Sequence, residues 1–432
     1  MKKNMTTKMM AAGLLAAAAL GVTTAEAQSV DSLLDKLVEK GVLSNKEAKT
    51  LREEADKDFT KAYSSKSGLP EWVTSVTWKG DLRLRTEHIK GTEENNVDRT
   101  RYRYRLRYGA EAALSDNFAV GFRFASGEAG DPISTNQSMG DVSDKKALFV
   151  DMAYVTWTPI NGNDLMVSAT GGKMENPFAS KDLKFSDSIF DGDWTPEGAA
   201  LVANWHVNTS HDLVLGGGIF VMDENSSAEV DPALTVYKAQ LNSKWTPTLS
   251  STLGVGGYFL INQQGFSGTT GLGKNEAGGQ TLSGTSQTYT PLIVDASVTY
   301  ALESFPMYNG AFPITIAAEY IKNGQADDGE GVGYSAGITF GKSGKKGLWD
   351  LSYRYKELQK HSVWEDLADS DFGSYSSASY KSGTDSRGHI TQFQYNFTDA
   401  VNMSVKHYWT ERIAANAGLD SHRVQADLIW KF

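Results

Sequence analysis

The 432-residue chain contains no cysteine, so neither a disulfide framework nor a thiolate metal site can contribute to it. Proline is scarce, at 10 residues. The 7 histidines are scattered, with no H-E-x-x-H arrangement and no Ser, His and Asp set in a known local signature. Catalysis and a bound cofactor are therefore not expected, and acid pairs of the glycosidase kind could be drawn from too many loop positions to single one out. Beyond residue 22 no run reaches the roughly 18 apolar residues that a membrane helix requires, so any insertion into a bilayer must be through strands. Net positive charge is also missing: the formal charge of −10 becomes −12 when the first 27 residues, with three Lys and one Glu, are removed. This excludes a general nucleic-acid binder.

What is present begins with an export signal. Lys2, Lys3 and Lys8 precede the apolar run Met9 to Val22, and Ala25-Glu26-Ala27 supplies a small-x-small cleavage pattern. Residues 1–27 are read as a signal peptide, with a mature chain from Gln28 outside the cytoplasm. Leu33, Leu34, Leu37 and Val38 share one helical face before Gly41, and Ser44-Asn45-Lys46-Glu47 is a capping box for a second helix with Ala48, Leu51 and Ala55. Residues 28–74 are thus expected to form a periplasmic helical hairpin and linker.

From Ser75 to Phe432 the period becomes two. Arg101-Tyr102-Arg103-Tyr104-Arg105-Leu106-Arg107-Tyr108 is the clearest case, a strand with guanidinium groups on one face and Tyr or Leu on the other. Val76, Trp78, Leu82 and Leu84 alternate with Thr77, Lys79, Asp81, Arg83 and Arg85, and Trp349, Leu351, Tyr353 and Tyr355 with Asp350, Ser352, Arg354 and Lys356. Mean hydropathy is −0.37 with 42 glycines, a polar chain rich in strand and turn formers. Connections alternate between short (Ser115 to Asn117, Asn208 to His211, Thr398 to Ala400) and long (Ser126 to Ala147, Glu175 to Gly198, Gln263 to Thr288, His361 to Ser386). The pattern predicts an all-β fold for residues 75–432, a transmembrane antiparallel β-barrel of about 16 strands. The stretch Leu213 to Met222 is poorly phased. A sandwich is the competing architecture, but the polar column on most strands would make a poor sandwich core.

Arg83, Arg85, Arg101, Arg103, Arg105, Arg107 and Arg123 come from three consecutive strands and are expected to line one wall of an aqueous lumen, with Lys173 as a further lining cation. Like charges so placed need acidic neighbours. If the loop after strand five folds inward, Glu175, Asp182, Asp187, Asp191, Asp193 and Glu197 could face them as constriction acids and set a field across the passage. The competing reading is that Asp81, Glu87 and Glu111 pair with the arginines and brace the barrel. Asp191-Gly192-Asp193 lacks the further spaced oxygens of a divalent-cation site. Gly337 to Ser343 imitates a phosphate loop but has three residues between its glycines and leads into a strand, so it reads as a turn.

The chain ends as Val424, Ala426, Leu428, Trp430 and Phe432 on one face. This final amphipathic strand with a terminal aromatic looks like the assembly signal of bacterial outer-membrane proteins, with Phe432 addressed to the barrel-assembly machinery. Gly171-Gly172-Lys173-Met174-Glu175-Asn176-Pro177-Phe178, with Phe190-Asp191-Gly192-Asp193-Trp194-Thr195-Pro196-Glu197-Gly198 downstream, resembles the bacterial putative porin family, as does the leader Leu33 to Glu54. In plan the chain is also similar to the phosphate-selective porins, although it has no dense lysine cluster. The resemblance implies a channel embedded in outer-membrane lipid, a homotrimer, and passive diffusion of small hydrophilic solutes and ions. An anion- or phosphate-selective channel is the alternative. A barrel enzyme or adhesin is a third reading.

Overall fold

Alternation of outward apolar and inward polar side chains makes nearly every segment after residue 72 a strand. The architecture comes from a computed structural model that describes residues 68–91, 98–128, 130–226, 229–266, 288–326, 329–373, 383–413 and 420–432. The expected signal peptide and helical hairpin lie outside the described residues. So does most of the Gln263 to Thr288 connection.

The strands are β1 (Val73–Gly91), β2 (Arg99–Leu114), β3 (Phe118–Ala125), β4 (Gln137–Ser138), β5 (Phe149–Asn161), β6 (Leu165–Lys173), β7 (Glu197–Asn208), β8 (His211–Val221) and β9 (Ala233–Lys244). They continue as β10 (Leu249–Ile261), β11 (Pro291–Leu302), β12 (Phe312–Asn323), β13 (Val332–Gly341), β14 (Trp349–Leu358), β15 (Ser386–Asn396), β16 (Val401–Arg412) and β17 (Asp420–Lys431). Each long strand pairs antiparallel with the next, and β17 returns to β1 from Asp81↔Lys431 to Gly91↔Ser421. Sixteen long strands therefore form a closed barrel with no free edge. The two-residue β4 is the extra element. It pairs with β2 at Arg103↔Ser138 and Tyr104↔Gln137, above the point where β3 stops. Residues 130–136 leave the wall and turn into the lumen, where Ile133, Thr135 and Asn136 are buried.

The outer face is apolar. Leu84, Tyr102, Tyr108, Phe118, Val120, Phe122, Phe124, Leu253, Val298 and Leu351 are all exposed. A band of this extent would be unstable in water and matches a hydrocarbon environment. Aromatic rings mark both rims. At the short-turn end Trp78 stacks on Tyr108 with centroids 5.4 Å apart, and Phe118 on Trp157 at 5.9 Å. At the long-loop end His389, Trp409 and His422 follow one another at 5.5 Å intervals. Aromatic girdles at the two interfaces are where amphipathic rings are favoured.

The inner face is of two kinds. Along β1, β2, β16 and β17 it is charged or polar, as expected. From β8 to β12, however, Val214, Phe220, Leu234, Val236, Tyr258, Ile293 and Ile321 point inward and are buried in one cluster with Phe178, Leu183, Phe185, Ile189, Phe190 and Trp194 of the loop 174–196. This explains the poor phasing of β8: both of its faces are apolar, one toward the outside and the other toward an infolded loop. Gly216 lies where the loop approaches most closely, and a Cβ there would meet Leu183 Cδ2 at 2.3 Å. Full burial of a Leu or Phe side chain contributes roughly 1.5–3 kcal/mol, so the loop is held by a core of its own inside the barrel.

Candidate functional site

The strand period aims Asp81, Arg83, Arg85 and Glu87 of β1 and Arg101, Arg103, Arg105 and Arg107 of β2 into the lumen, and register brings β17 beside them. Arg85 sits opposite Asp427 and donates to it through Nε and Nη2, both at 2.7 Å. Arg105 and Arg107 share Asp81, at 2.9 and 2.6 Å from their Nε atoms. Glu87 is shared by Arg101 at 2.6 Å and Arg423 at 3.0 Å. Pairing of Asp81 and Glu87 with arginines was the bracing alternative, and it coexists with loop acids reaching the same wall. Glu111 is different: it takes the Tyr154 hydroxyl at 2.6 Å and lies 3.7 Å from Lys79.

The loop 174–196 brings only some of its acids to this wall. Asp193 Oδ1 accepts from Arg105 Nη1 at 3.2 Å and Arg107 Nη1 at 3.3 Å. Asp187 faces the other way and binds Arg354 of β14 at 2.6 Å. Asp191 accepts the backbone N–H of Asp193 at 2.9 Å and of Ser370 at 3.3 Å. The expectation for the other three needs correction. Glu175 and Asp182 are exposed. Asp182 contributes only its carbonyl, which accepts from Gln240 and Asn242. Glu197 belongs to β7 and pairs with Lys173 at 2.8 Å. Lys173 consequently lines a separate cavity of about 180 Å³ with Asp151, the partner of Arg123.

A second infolded segment went unseen in the sequence. The connection between β14 and β15 buries Val363, Trp364, Leu367, Ala368 and Phe372, and Tyr258 Oη accepts the Trp364 N–H at 2.6 Å. It carries Asp369 and Asp371 into the lumen, with Asp371 3.5 Å from Arg85 and 3.0 Å from Arg423. Large apolar residues in a long loop were the available signal, since a loop lying in solvent has no use for them.

Between the arginine wall and the two loops remains a cavity of about 430 Å³, lined on one side by Arg83, Arg85, Arg103, Arg105 and Arg107 and on the other by Asp187, Asp191, Asp193, Asp369 and Asp371. Burial alone would raise the loop carboxyls. For Asp193 the nearby Arg105 and Arg107 outweigh it and bring the pKa down to about 2. Asp187, facing Arg354 and Lys356, is likewise held well below the usual range. Asp191 goes the other way: burial, then Asp369 and Asp193, push it well above.

Residues 88–259 match a family model described as Putative porin. This part of the chain is similar to that family. Among solved structures the barrel is similar to OprB of Pseudomonas putida, in a high-pH structure, at 10% identity over 83% of this chain and 94% of that one, with a TM-score of 0.50. It also matches the outer membrane channel DcaP of Acinetobacter baumannii, at 13% identity over 83% and 97% of the two chains with a TM-score of 0.43. A mutant of Rhodopseudomonas blastica porin matches at 10% identity over 83% and 100%, again at 0.43. Comparison with curated proteins gives no match.

Within the barrel, Phe432 ends β17 against β1. Its N–H donates to the Gly80 carbonyl at 3.1 Å, the Gly80 N–H donates back at 2.7 Å, and its ring lies 6.3 Å from Tyr108. A Cβ on Gly80 would lie 2.5 Å from that ring, so the glycine makes room for the terminal aromatic. The segment Gly337 to Ser343 ends β13 at Gly341, whose φ is 78°, and the turn continues through Gly344 at φ 117°. Among the described residues no group of three or more His, Cys, Asp or Glu is placed to hold a metal ion.

Proposed function

We propose that this chain is an outer-membrane porin through which small hydrophilic solutes and ions diffuse passively, along the side of the lumen that the infolded loops leave open. The observation that carries the reading is the 430 Å³ cavity, with arginines on one wall and loop carboxylates on the other. Charges of opposite sign across a narrow passage orient water and polar solutes, and disfavour apolar ones that cannot replace the ordered solvent. The seven arginines act as lining cations, with Arg83, Arg85, Arg103, Arg105 and Arg107 nearest the narrow part, and Lys173 lines the smaller cavity beside it. Asp187, Asp191 and Asp193 are the constriction acids of the loop. Phe432 serves as the assembly signal, the short turns and N-terminal segment face the periplasm, and the barrel assembles as a homotrimer.

An anion-selective channel is the second reading. It is favoured by Arg103, which has no carboxylate within salt-bridge distance among the described residues, and by Arg83, whose nearest is Asp427 at 4.0 Å. Purified protein in a planar bilayer across a salt gradient separates the two. General diffusion predicts discrete conductance steps with a modest reversal potential, whereas strong anion preference with block by inorganic phosphate would establish the second reading. Folded protein without conductance would sink both.

A further inference from the structure

Not all charges around the cavity are matched. Arg83 and Arg103 are each only 8% exposed, and both line the cavity. They converge on one residue of the inturned segment after β3: Arg83 Nη2 donates to the Asn136 side-chain oxygen at 2.5 Å, and Arg103 Nη2 to its carbonyl at 3.3 Å. Among the described residues the Nε of each arginine has no hydrogen-bond partner. Buried guanidinium groups with unused donors are costly, and a planar carboxylate is the acceptor that fits their fork. Among the loop carboxylates, Asp191 is the converse. Among the described residues it accepts only two backbone N–H groups and forms no ion pair, whereas Asp187, Asp193 and Asp371 each hold at least one cation.

We propose that this cavity is a binding site for small zwitterions, with their carboxylate held by Arg83 and Arg103 and their ammonium group by Asp191. The inference rests on the porin reading and names the solute class its passage selects. A site of about 430 Å³ is within the range that encloses a small molecule. Neither half suffices alone: an anion without an ammonium group would leave Asp191 unmatched, and a cation would leave the arginines so. The pKa of Asp191, raised by burial and then by Asp369 and Asp193, is the state of a carboxyl that lacks a cation.

The test is calorimetric titration of the full-length folded barrel in detergent with glycine, 4-aminobutyrate and 6-aminohexanoate, beside butyrate and butylammonium. At least one zwitterion is expected to bind 10-fold or more tightly than both singly charged analogues. Arg103→Gln and Asp191→Asn should each reduce that binding at least 10-fold, with the heat-modifiable gel mobility of the barrel unchanged. Equal binding of butyrate would replace the proposal by a simple anion site, and absence of binding by all three zwitterions would overturn it. Bilayer conductance of the same preparation reports independently on the porin reading, so a conducting barrel that binds no zwitterion refutes the site alone.

Discussion

The Asp191 N–H donates to the Leu367 carbonyl at 2.6 Å, joining the loop after β6 to the loop after β14 inside the barrel. Close by, the Asp369 N–H donates to the Asp187 carbonyl at 2.9 Å. The two loops thus form one inner body, anchored to the apolar side of the lumen and presenting its acids to the arginine side. This division accounts for the open cavity lying beside β1, β2, β16 and β17.

Asp193 is the acid of the 174–196 loop that touches the arginine wall. Breaking a buried ion pair by removing one partner costs about 3–5 kcal/mol, because the remaining charge is left unmatched. Asp193→Asn leaves Arg105 and Arg107 with Asp81 alone, and should move the reversal potential in a salt gradient toward anion preference and lower the unfolding temperature. An unchanged potential would mean that the passage does not run beside these residues.

The two neighbouring carboxyls should respond to pH with opposite signs. The Asp193 pKa falls from 3.8 to about 2 on folding, so its contribution to stability is complete above 3.8 and is lost as pH falls through about 2. That of Asp191 is raised, so its contribution is complete below 3.8 and is lost as pH rises through its folded-state value. At neutral pH Asp191→Asn should therefore be neutral or stabilising while Asp193→Asn destabilises. Thermal unfolding at pH 7 of the two variants checks this, and equal destabilisation by both would contradict it.

Leu183 is fully buried between the loop and β8. Replacing a buried Leu by Ala costs about 2–5 kcal/mol, here taken from the packing of the inner body. Leu183→Ala should make the loop sensitive to limited proteolysis and increase single-channel conductance, and Gly216→Leu should do the same by steric displacement. Wild-type conductance in both would show that the loop does not limit the passage.

At the barrel seam, Phe432→Ala removes the ring against Tyr108 and Gly80, and should reduce the fraction of heat-modifiable folded barrel in outer-membrane preparations several-fold. The same yield would separate the terminal ring from assembly.

Much of the wall could be read from sequence, because burial on one face only gives every strand a period of two. The expected alternations from Arg101 to Tyr108 and from Trp349 to Lys356 fall within β2 and β14. The interior was harder to read. A loop's destination depends on what its apolar residues meet, and Phe178, Leu183 and Trp364 find partners on β8 to β12 that are distant in sequence. The lapse in alternation at β8 was itself the mark of that contact. Asp187, placed by sequence among acids facing the arginine wall, binds Arg354 instead, since strand neighbours across the lumen cannot be inferred from spacing along the chain.

The central claim is that the arginine face borders the solute path and the tyrosine face does not. Because the chain has no cysteine, an introduced one is its sole thiol. Single-channel current should fall stepwise when Arg103→Cys is treated with a negatively charged methanethiosulfonate reagent, and should not change for Tyr102→Cys. Current unaffected in Arg103→Cys but reduced in Tyr102→Cys would contradict the account.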